Sequence, residues 1–290
     1  MKKVLGIAVI LLLSVSAFAQ DTAVKASVKK AKIKTPPKDG FTARVDVDSA
    51  IMVPYADVRE EDVFYSKRIW REIDLRDTIN SVLRAENAKL IDVLMEAVGA
   101  GELDAFSPKD TVAGKLLEDN DSFKILLTPE QALAGARGLT EGEADPTTGQ
   151  IAEPTLKRFR PDEYMKYRIK EDWILDSKRS VFEPRIIGIA PMKEVEGNWQ
   201  PVFWIYYDQA RELLSKKRIV NPSNDASVLT FDDFFVRRLF SSNIVKETNP
   251  ANKNIVDILG QTDKKDPRKL YESERIKKTI ADFEQSLWEY

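Results

Sequence analysis

Tyr164-Met165-Lys166-Tyr167-Arg168-Ile169-Lys170-Glu171-Asp172-Trp173-Ile174-Leu175 decides the fold class, because the hydrophobic period of the chain changes to two in this stretch. Tyr167, Ile169 and Trp173 share one parity, with Leu175 after them, while Arg168, Lys170 and Asp172 share the other, so the pattern predicts a strand with one apolar and one polar face. Further on, Arg185 to Ala190 is a short apolar run fenced by Pro184 and Pro191, as in a buried strand. Val202 to Tyr207 is apolar on both parities and reads as interior to a sheet. The connections are short, which predicts an antiparallel meander rather than crossovers. Asp208 can cap a helix through Leu213 and Leu214. Thr230 with Asp233 forms a second capping pattern, opening a helix whose apolar face is Phe231, Phe234, Phe235 and Leu239.

Working back towards the N-terminus, helical signals dominate residues 57–133. Asp57 with Glu60 has capping-box character, and Val63, Ile69, Trp70 and Ile73 supply apolar positions after it. Leu90, Leu94 and Val98 follow at helical spacing until Gly99-Ala100-Gly101, and Thr128-Pro129-Glu130 reads as a helix start with Pro in the first turn. Residues 136–156 are rich in Gly, Thr, Glu and Pro without periodicity, the composition of a flexible loop. At the far end, Ile276, Ile280, Phe283 and Leu287 are spaced four, three and four apart, an amphipathic helix. The expected class is α+β: an N-terminal helical part followed by a small, mainly antiparallel sheet with flanking helices. In segments this is a helical subdomain over 51–135, the loop at 136–156, an α+β core over 157–250 and a tail over 251–290.

Residues 1–19 have the form of a signal peptide. Lys2 and Lys3 precede an apolar run from Val4 to Leu13, and Ala17-Phe18-Ala19 is a small-x-small cleavage signal. The rival, an uncleaved anchor helix, needs about twenty apolar residues. Without cysteine, the signal cannot be that of a lipoprotein. Charge is unevenly spread beyond it. The precursor stands at −2, so loss of Lys2 and Lys3 leaves −4. Residues 20–38 carry six lysines against Asp21, a sum of +5, and the body is therefore at −9. A basic arm over 20–50 joined to an acidic body suggests an interaction tail, with a solvated spacer as the plain alternative. Phe41, Ala43, Val45 and Val47 alternate with Thr42, Arg44 and Asp46, a strand that can pair within its own domain or add to a neighbour's sheet edge. An exported chain with an acidic body is a poor nucleic-acid binder.

The composition removes much of catalysis. There is no histidine and no cysteine, so Ser-His-Asp and Cys-His triads, His-based zinc sites and thiolate chemistry are all excluded. No phosphate-cradling glycine motif occurs. Three weak options remain. A paired-carboxylate hydrolase could use Glu60-Glu61-Asp62 or Glu171-Asp172. A Ser–Lys hydrolase could use Ser66-Lys67 or Ser177-Lys178, although neighbours in a strand point to opposite faces. A calcium site could use Glu118, Asp119 and Asp121, but the glycine and distal glutamate of a calcium loop are missing. No cofactor, metal or small-molecule substrate is expected. Aromatic residues are plentiful instead: Trp173 and Trp204 sit in strand patterns and read as core, while Trp199, in the Glu196-Gly197-Asn198-Trp199-Gln200 loop, and Trp288 read as interface aromatics. The candidate partner surface is Lys29, Lys30, Lys32, Lys34, Phe41, Val45, Trp199 and Trp288.

Several words occur together in order. They begin with Val63-Phe64-Tyr65-Ser66-Lys67-Arg68-Ile69-Trp70-Arg71-Glu72-Ile73-Asp74-Leu75-Arg76, and the 164–173 segment quoted above follows with Asp176 and Ser180. Next come Arg185-Ile186-Ile187-Gly188-Ile189-Ala190-Pro191, Phe203-Trp204-Ile205-Tyr206-Tyr207, Arg211-Glu212-Leu213-Leu214 and Asn221-Pro222-Ser223-Asn224-Asp225. Phe231-Asp232-Asp233-Phe234-Phe235, Arg237-Arg238 and Ser241-Ser242-Asn243-Ile244-Val245-Lys246 complete them. Over most of residues 60–250 the chain resembles the GldN/PorN family of type IX secretion and gliding motility. The resemblance implies a non-enzymatic periplasmic subunit that forms a ring under the outer membrane with a GldK/PorK-like lipoprotein. It also implies contact with the periplasmic domain of a GldM/PorM-like inner-membrane motor. The alternatives are a carboxylate-type envelope hydrolase, favoured by a deep acidic cleft, and a periplasmic ligand-binding protein, favoured by a large apolar pocket.

Overall fold

The computed structural model describes residues 52–112, 115–117, 121–138, 156–220, 228–260 and 266–287. The signal peptide, the whole basic arm and most of the 136–156 loop lie outside them. In chain order the main elements are β1 (Val63–Asp74), α1 (Leu90–Ala100), β2 (Ala105–Phe106), β3 (Leu126–Leu127), α2 (Pro129–Arg137), β4 (Lys166–Asp176) and β5 (Val181–Val195). Then follow β6 (Asn198–Pro201), β7 (Trp204–Tyr206), α3 (Tyr207–Lys216), α4 (Phe231–Val236), β8 (Asn243–Glu247), α5 (Ile255–Ile258) and α6 (Arg268–Ser286). The class is α+β, with helices and antiparallel strands mixed along the chain. No helix among the described residues is long and apolar enough to cross a membrane.

The strands form one antiparallel sheet in the order β8-β1-β4-β5-β7-β2-β3, with β6 returning on the end of β5. Its spine is β1–β4–β5. Asp74 pairs with Lys166 and Lys166 with Met192 at one end, and Val63 pairs with Asp176 and Asp176 with Val181 at the other. The expectation of a helical part before the sheet fails here. Residues 63–74 are a central strand, and among the described residues of the 51–135 region α-helix is confined to α1 and most of α2. The apparent helical spacing of Ile69 and Ile73 concealed a period of two. Tyr65, Lys67, Ile69, Arg71 and Ile73 share one face, a bulge between Val63 and Tyr65 takes Val63 out of the alternation, and Lys67 and Arg71 hide the apolar character of that face. The β-branched and aromatic content of this stretch suits a pleated surface.

Several local readings hold. Thr128 and Thr230 each close a capping box, with Gln131 and Asp233 respectively, at the heads of α2 and α4. α1 stops at the expected break after Ala100. Helix α3 forms too, but Asp208 lies within its first turn and donates no cap. One face of the sheet is covered by α1, α3 and α4, whose Leu94, Val98, Leu214, Phe231 and Phe235 pack with Ile73, Tyr167, Ile169, Ile189 and Ile205 in the main core. A second core seats α5 and α6 on the outer half of that face, joining Ile255, Ile276 and Ile280 to Ile69 and Ile244. Ser273 of α6 accepts a hydrogen bond from the Ile244 amide at 2.8 Å, so the helix also satisfies part of the β8 edge. Phe283 stacks on Tyr65 at 4.3 Å, as its helical register anticipated, while Leu239 is 43% exposed and contributes little to the core.

Candidate interaction surfaces

The second face of the sheet carries charge. Parity places Arg68, Trp70 and Glu72 of β1 beside Asp172, Lys170 and Arg168 of β4. Arg68 holds Asp172 through two hydrogen bonds of 2.6 Å, and Arg168 donates to Glu72 at 2.7 Å. Burial pushes the Glu72 carboxyl up, but Arg168 and Lys166 outweigh it and hold the group below its ordinary value. Lys170 points at Asp121, 3.1 Å away, and Trp70 Nε1 donates to the same carboxylate at 2.5 Å. Burial draws the Lys170 ammonium down, against the pull of Asp121.

A thin aromatic cover lies over part of this face. Phe123 meets Phe106, Trp204 and Tyr206 edge-on at 5.5–6.0 Å, and the Lys170 ammonium stands 5.2 Å from its ring centre. The ring reaches the sheet because residue 188 is glycine. A β-carbon there would stand 2.5 Å from Phe123 Cζ and 3.3 Å from the Ile205 carbonyl oxygen. Gly188→Val is therefore expected to lower stability by about 1–3 kcal/mol through overpacking. A urea melt reads the loss, and a melt superimposing on that of the unsubstituted chain contradicts the packing.

On the helix-covered face a carboxylate is enclosed by guanidinium groups. Glu171 is fully buried. It accepts hydrogen bonds from Arg71 Nε, from Trp173 Nε1 at 3.0 Å and from both terminal nitrogens of Arg238 at 2.8 and 3.2 Å. Burial raises this carboxyl, and the two arginines reverse the shift and keep it below the usual range. Arg238 takes a left-handed backbone, φ +56°, and lies over the rings of Trp173 and Phe240 at 5.5 and 5.2 Å.

A third cluster joins the start of the described chain to the body. Met52–Arg59 runs as an extended strap before the turn at Glu60–Asp62. The Tyr55 ring lies 4.5 Å from the Arg211 guanidinium and 5.5 Å from that of Arg185. Burial raises its hydroxyl pKa, against a hydrogen bond with the Ile186 backbone. Arg211 Nη2 donates to the Val53 carbonyl at 2.6 Å, while its Nε reaches Asp232 at 3.0 Å. The Tyr207 hydroxyl donates to the same Asp232 oxygen at 3.0 Å. Strap, α3 and α4 thus enclose an open groove of about 420 Å³.

Most of the surviving catalytic options fare poorly against this geometry, while Glu60, Glu61 and Asp62 form an unburied turn. Glu171 and Asp172 point to opposite faces, and each is held by arginine. Lys67 is paired with Glu247 at 2.9 Å, and the Ser177 hydroxyl donates to the Asp62 carbonyl. Asp121 serves Trp70 and Lys170, while Glu118 and Asp119 lie outside the described residues. Among the described residues no three acidic side chains gather as a metal site would require.

Of the residues singled out for partners, Lys29, Lys30, Lys32, Lys34, Phe41, Val45 and Trp288 lie outside the described residues. Trp199 is on β6 rather than in a loop, paired with Glu194. Glu196 and Gly197 both have positive φ, +49° and +75°, and so close a two-residue hairpin of the primed type, in which glycine relieves the second position. The Trp199 ring lies under the Lys166 ammonium at 5.3 Å and is half-buried. Trp204 is core, and Trp173 is a half-buried partner of Glu171. Sequence reasoning missed Tyr55, Arg185, Arg211 and Asp232. One signal was available: Arg211 sits between Ala210 and Leu214 on the apolar face of α3, where a charge must find a buried partner.

Compared with known families, the chain matches the one described as Gliding motility associated protein GldN over residues 58–289. The comparison with curated proteins gave no match.

Proposed function

This chain belongs to the GldN family of gliding motility associated proteins, components of gliding and type IX secretion, and from that premise we propose that it is a non-enzymatic structural subunit of that machinery. In this reading the chain is exported to the periplasm. It forms a ring on the inner face of the outer membrane with a GldK/PorK-like lipoprotein and engages the periplasmic domain of a GldM/PorM-like motor. The observation that carries the reading is the family match, which spans the whole described sheet and its helices. The geometry supports it from another side, since the buried carboxylates Glu171, Asp172, Asp176 and Asp232 each accept hydrogen bonds from an arginine.

Co-expression of the mature chain with the lipoprotein, followed by negative-stain electron microscopy, tests the assembly. Rings or arcs containing both proteins are expected, and a monodisperse monomer that ignores the lipoprotein overturns the reading. The basic arm is the natural candidate for one half of a heterologous interface, in which one patch meets a different patch on the next copy. Residues 20–38 carry +5 against a body at −9. Deleting residues 20–40 is expected to weaken assembly, most at low ionic strength where such attraction is least screened, and to leave the melting temperature unchanged. Assembly that is unchanged at physiological salt removes the arm from the interface.

A further inference from the structure

We propose that the Met52–Arg59 strap is exchanged between copies of this chain, so that Tyr55 of one copy seats between Arg185 and Arg211 of the next. The proposal rests on the ring reading above and names one of its junctions.

The residues that receive the strap are fixed without it, although Met52–Ala56 form one wall of the groove itself. Arg211, 2% exposed, is fixed by Asp232 at 3.0 and 3.3 Å, and Asp232 is fixed in turn by the Tyr207 hydroxyl. These contacts join α3 to α4 and involve no strap residue. The strap adds little to hold itself. Among the described residues its backbone between Met52 and Val58 is gripped by a single hydrogen bond, from Arg211 to the Val53 carbonyl, beside the Tyr55 ring contacts and the hydrogen bond of the Tyr55 hydroxyl with the Ile186 backbone. It pairs with no strand. Pro54 fixes its own φ and biases Val53 towards an extended backbone, which lowers the order lost there when the strap docks.

The seating within one chain is also incomplete. Arg211 Nη1 is buried with no hydrogen-bond partner, in a guanidinium that already holds one strap carbonyl through Nη2. The strap is tethered to β1 through Ala56–Arg59, mostly exposed, and the turn at Glu60–Asp62. A strap arriving from another copy is free of that tether and can slide a second carbonyl onto the unused donor. The contacts of Tyr55 with Arg185, Arg211 and the Ile186 backbone are the ones the exchanged strap would make in their place. Within a ring, the neighbour's strap is present at high effective concentration, which favours the fuller seating. Strap into groove is also a head-to-tail contact, the kind that closes rings.

The absence of cysteine makes the test clean. Val53 and Val236 both line the groove and are exposed, so chains carrying Val53→Cys or Val236→Cys, one with a size tag, are mixed equally, assembled with the lipoprotein and treated with a short bismaleimide. The expected result is a crosslinked pair of unlike chains, and for the doubly substituted chain a ladder of multimers with loss of the internally closed monomer. Internal closure of the double variant, with no pairing in the mixture, overturns the exchange. Tyr55→Ala is expected to lose rings while keeping its circular dichroism, and complete rings from this variant also overturn it. Rings whose crosslinks all lie within one chain leave the ring subunit standing and remove only the exchange. If the unsubstituted chain and lipoprotein make no rings, the ring reading falls. The crosslinks are then scored on the concentrated chain alone, with unlike pairs supporting exchange and their absence refuting it.

Discussion

Glu171→Ala is expected to lower the unfolding free energy by about 3–5 kcal/mol, the range for removing one partner from a buried ion pair. The cost comes less from lost attraction than from what stays behind. Arg71 is 7% exposed, and burial already draws its guanidinium below the ordinary value. Without Glu171 it loses the carboxylate that it hydrogen-bonds, and only the weaker pull of Glu274 remains. Arg238 would also lose the fork that holds its left-handed backbone in place. Glu171→Gln keeps an acceptor and should lose less. The pH dependence gives a second handle. The folded pKa of Glu171 is held below its unfolded value, so its contribution is complete above the ordinary carboxylate range and is lost as pH falls through the folded pKa. The gap between the unsubstituted chain and Glu171→Gln should thus be widest at neutral pH and close in acid. Arg237→Ala is the control, because its pair with Asp233 is largely exposed and worth well under about 1 kcal/mol. Urea melts of the four proteins from neutral pH into acid decide the matter. A Glu171→Ala loss no larger than that of Arg237→Ala would show that the buried charges carry no weight.

The same cluster explains what could be read from the sequence. Strand β4 was legible because its alternation is long, whereas β5 was legible only in its apolar middle, Arg185 to Ala190, since Pro184 and Pro191, read as its fences, lie within Val181–Val195. Strand β1 was not, since its core-facing parity contains Lys67 and Arg71, and the residues that neutralise them, Glu247 and Glu171, come from distant parts of the chain. Only the pairing reveals that those positions are interior. Strands β2 and β3 are two residues each and leave no periodic trace. The capping boxes at Thr128 and Thr230 were legible because a cap is local, its donor and acceptor three residues apart. The Tyr55 seat was illegible for the opposite reason: Val53 and Arg211 are 158 residues apart, and no local rule connects them.

Trp204→Ala is expected to cost about 3–5 kcal/mol, the range for truncating a large buried aromatic. Phe203, Trp204 and Ile205 are all fully buried in consecutive positions, which a strand permits only when both faces of its sheet are covered. Phe203 and Ile205 belong to the main core beneath the helices. Trp204 belongs to the small cluster on the opposite, charged face, with Trp70 and Ala190, and Phe106 and Phe123 rest against it. That face has little other apolar material, so the cavity left by alanine cannot be filled from nearby. Without the indole, Phe123 also loses one of its ring partners, and the slot over Gly188 loses a wall. One feature of Trp204 works against it: its Nε1 is buried with no hydrogen-bond partner, a defect that costs about 1–3 kcal/mol in a folded protein. Trp204→Phe removes that orphan donor while keeping most of the ring, so its loss should be much smaller than that of the alanine variant. Chemical denaturation followed by far-ultraviolet circular dichroism measures both. Equal losses would mean that the indole nitrogen carries no penalty, and a loss near zero for alanine would mean that the charged face holds itself together by its ion pairs alone.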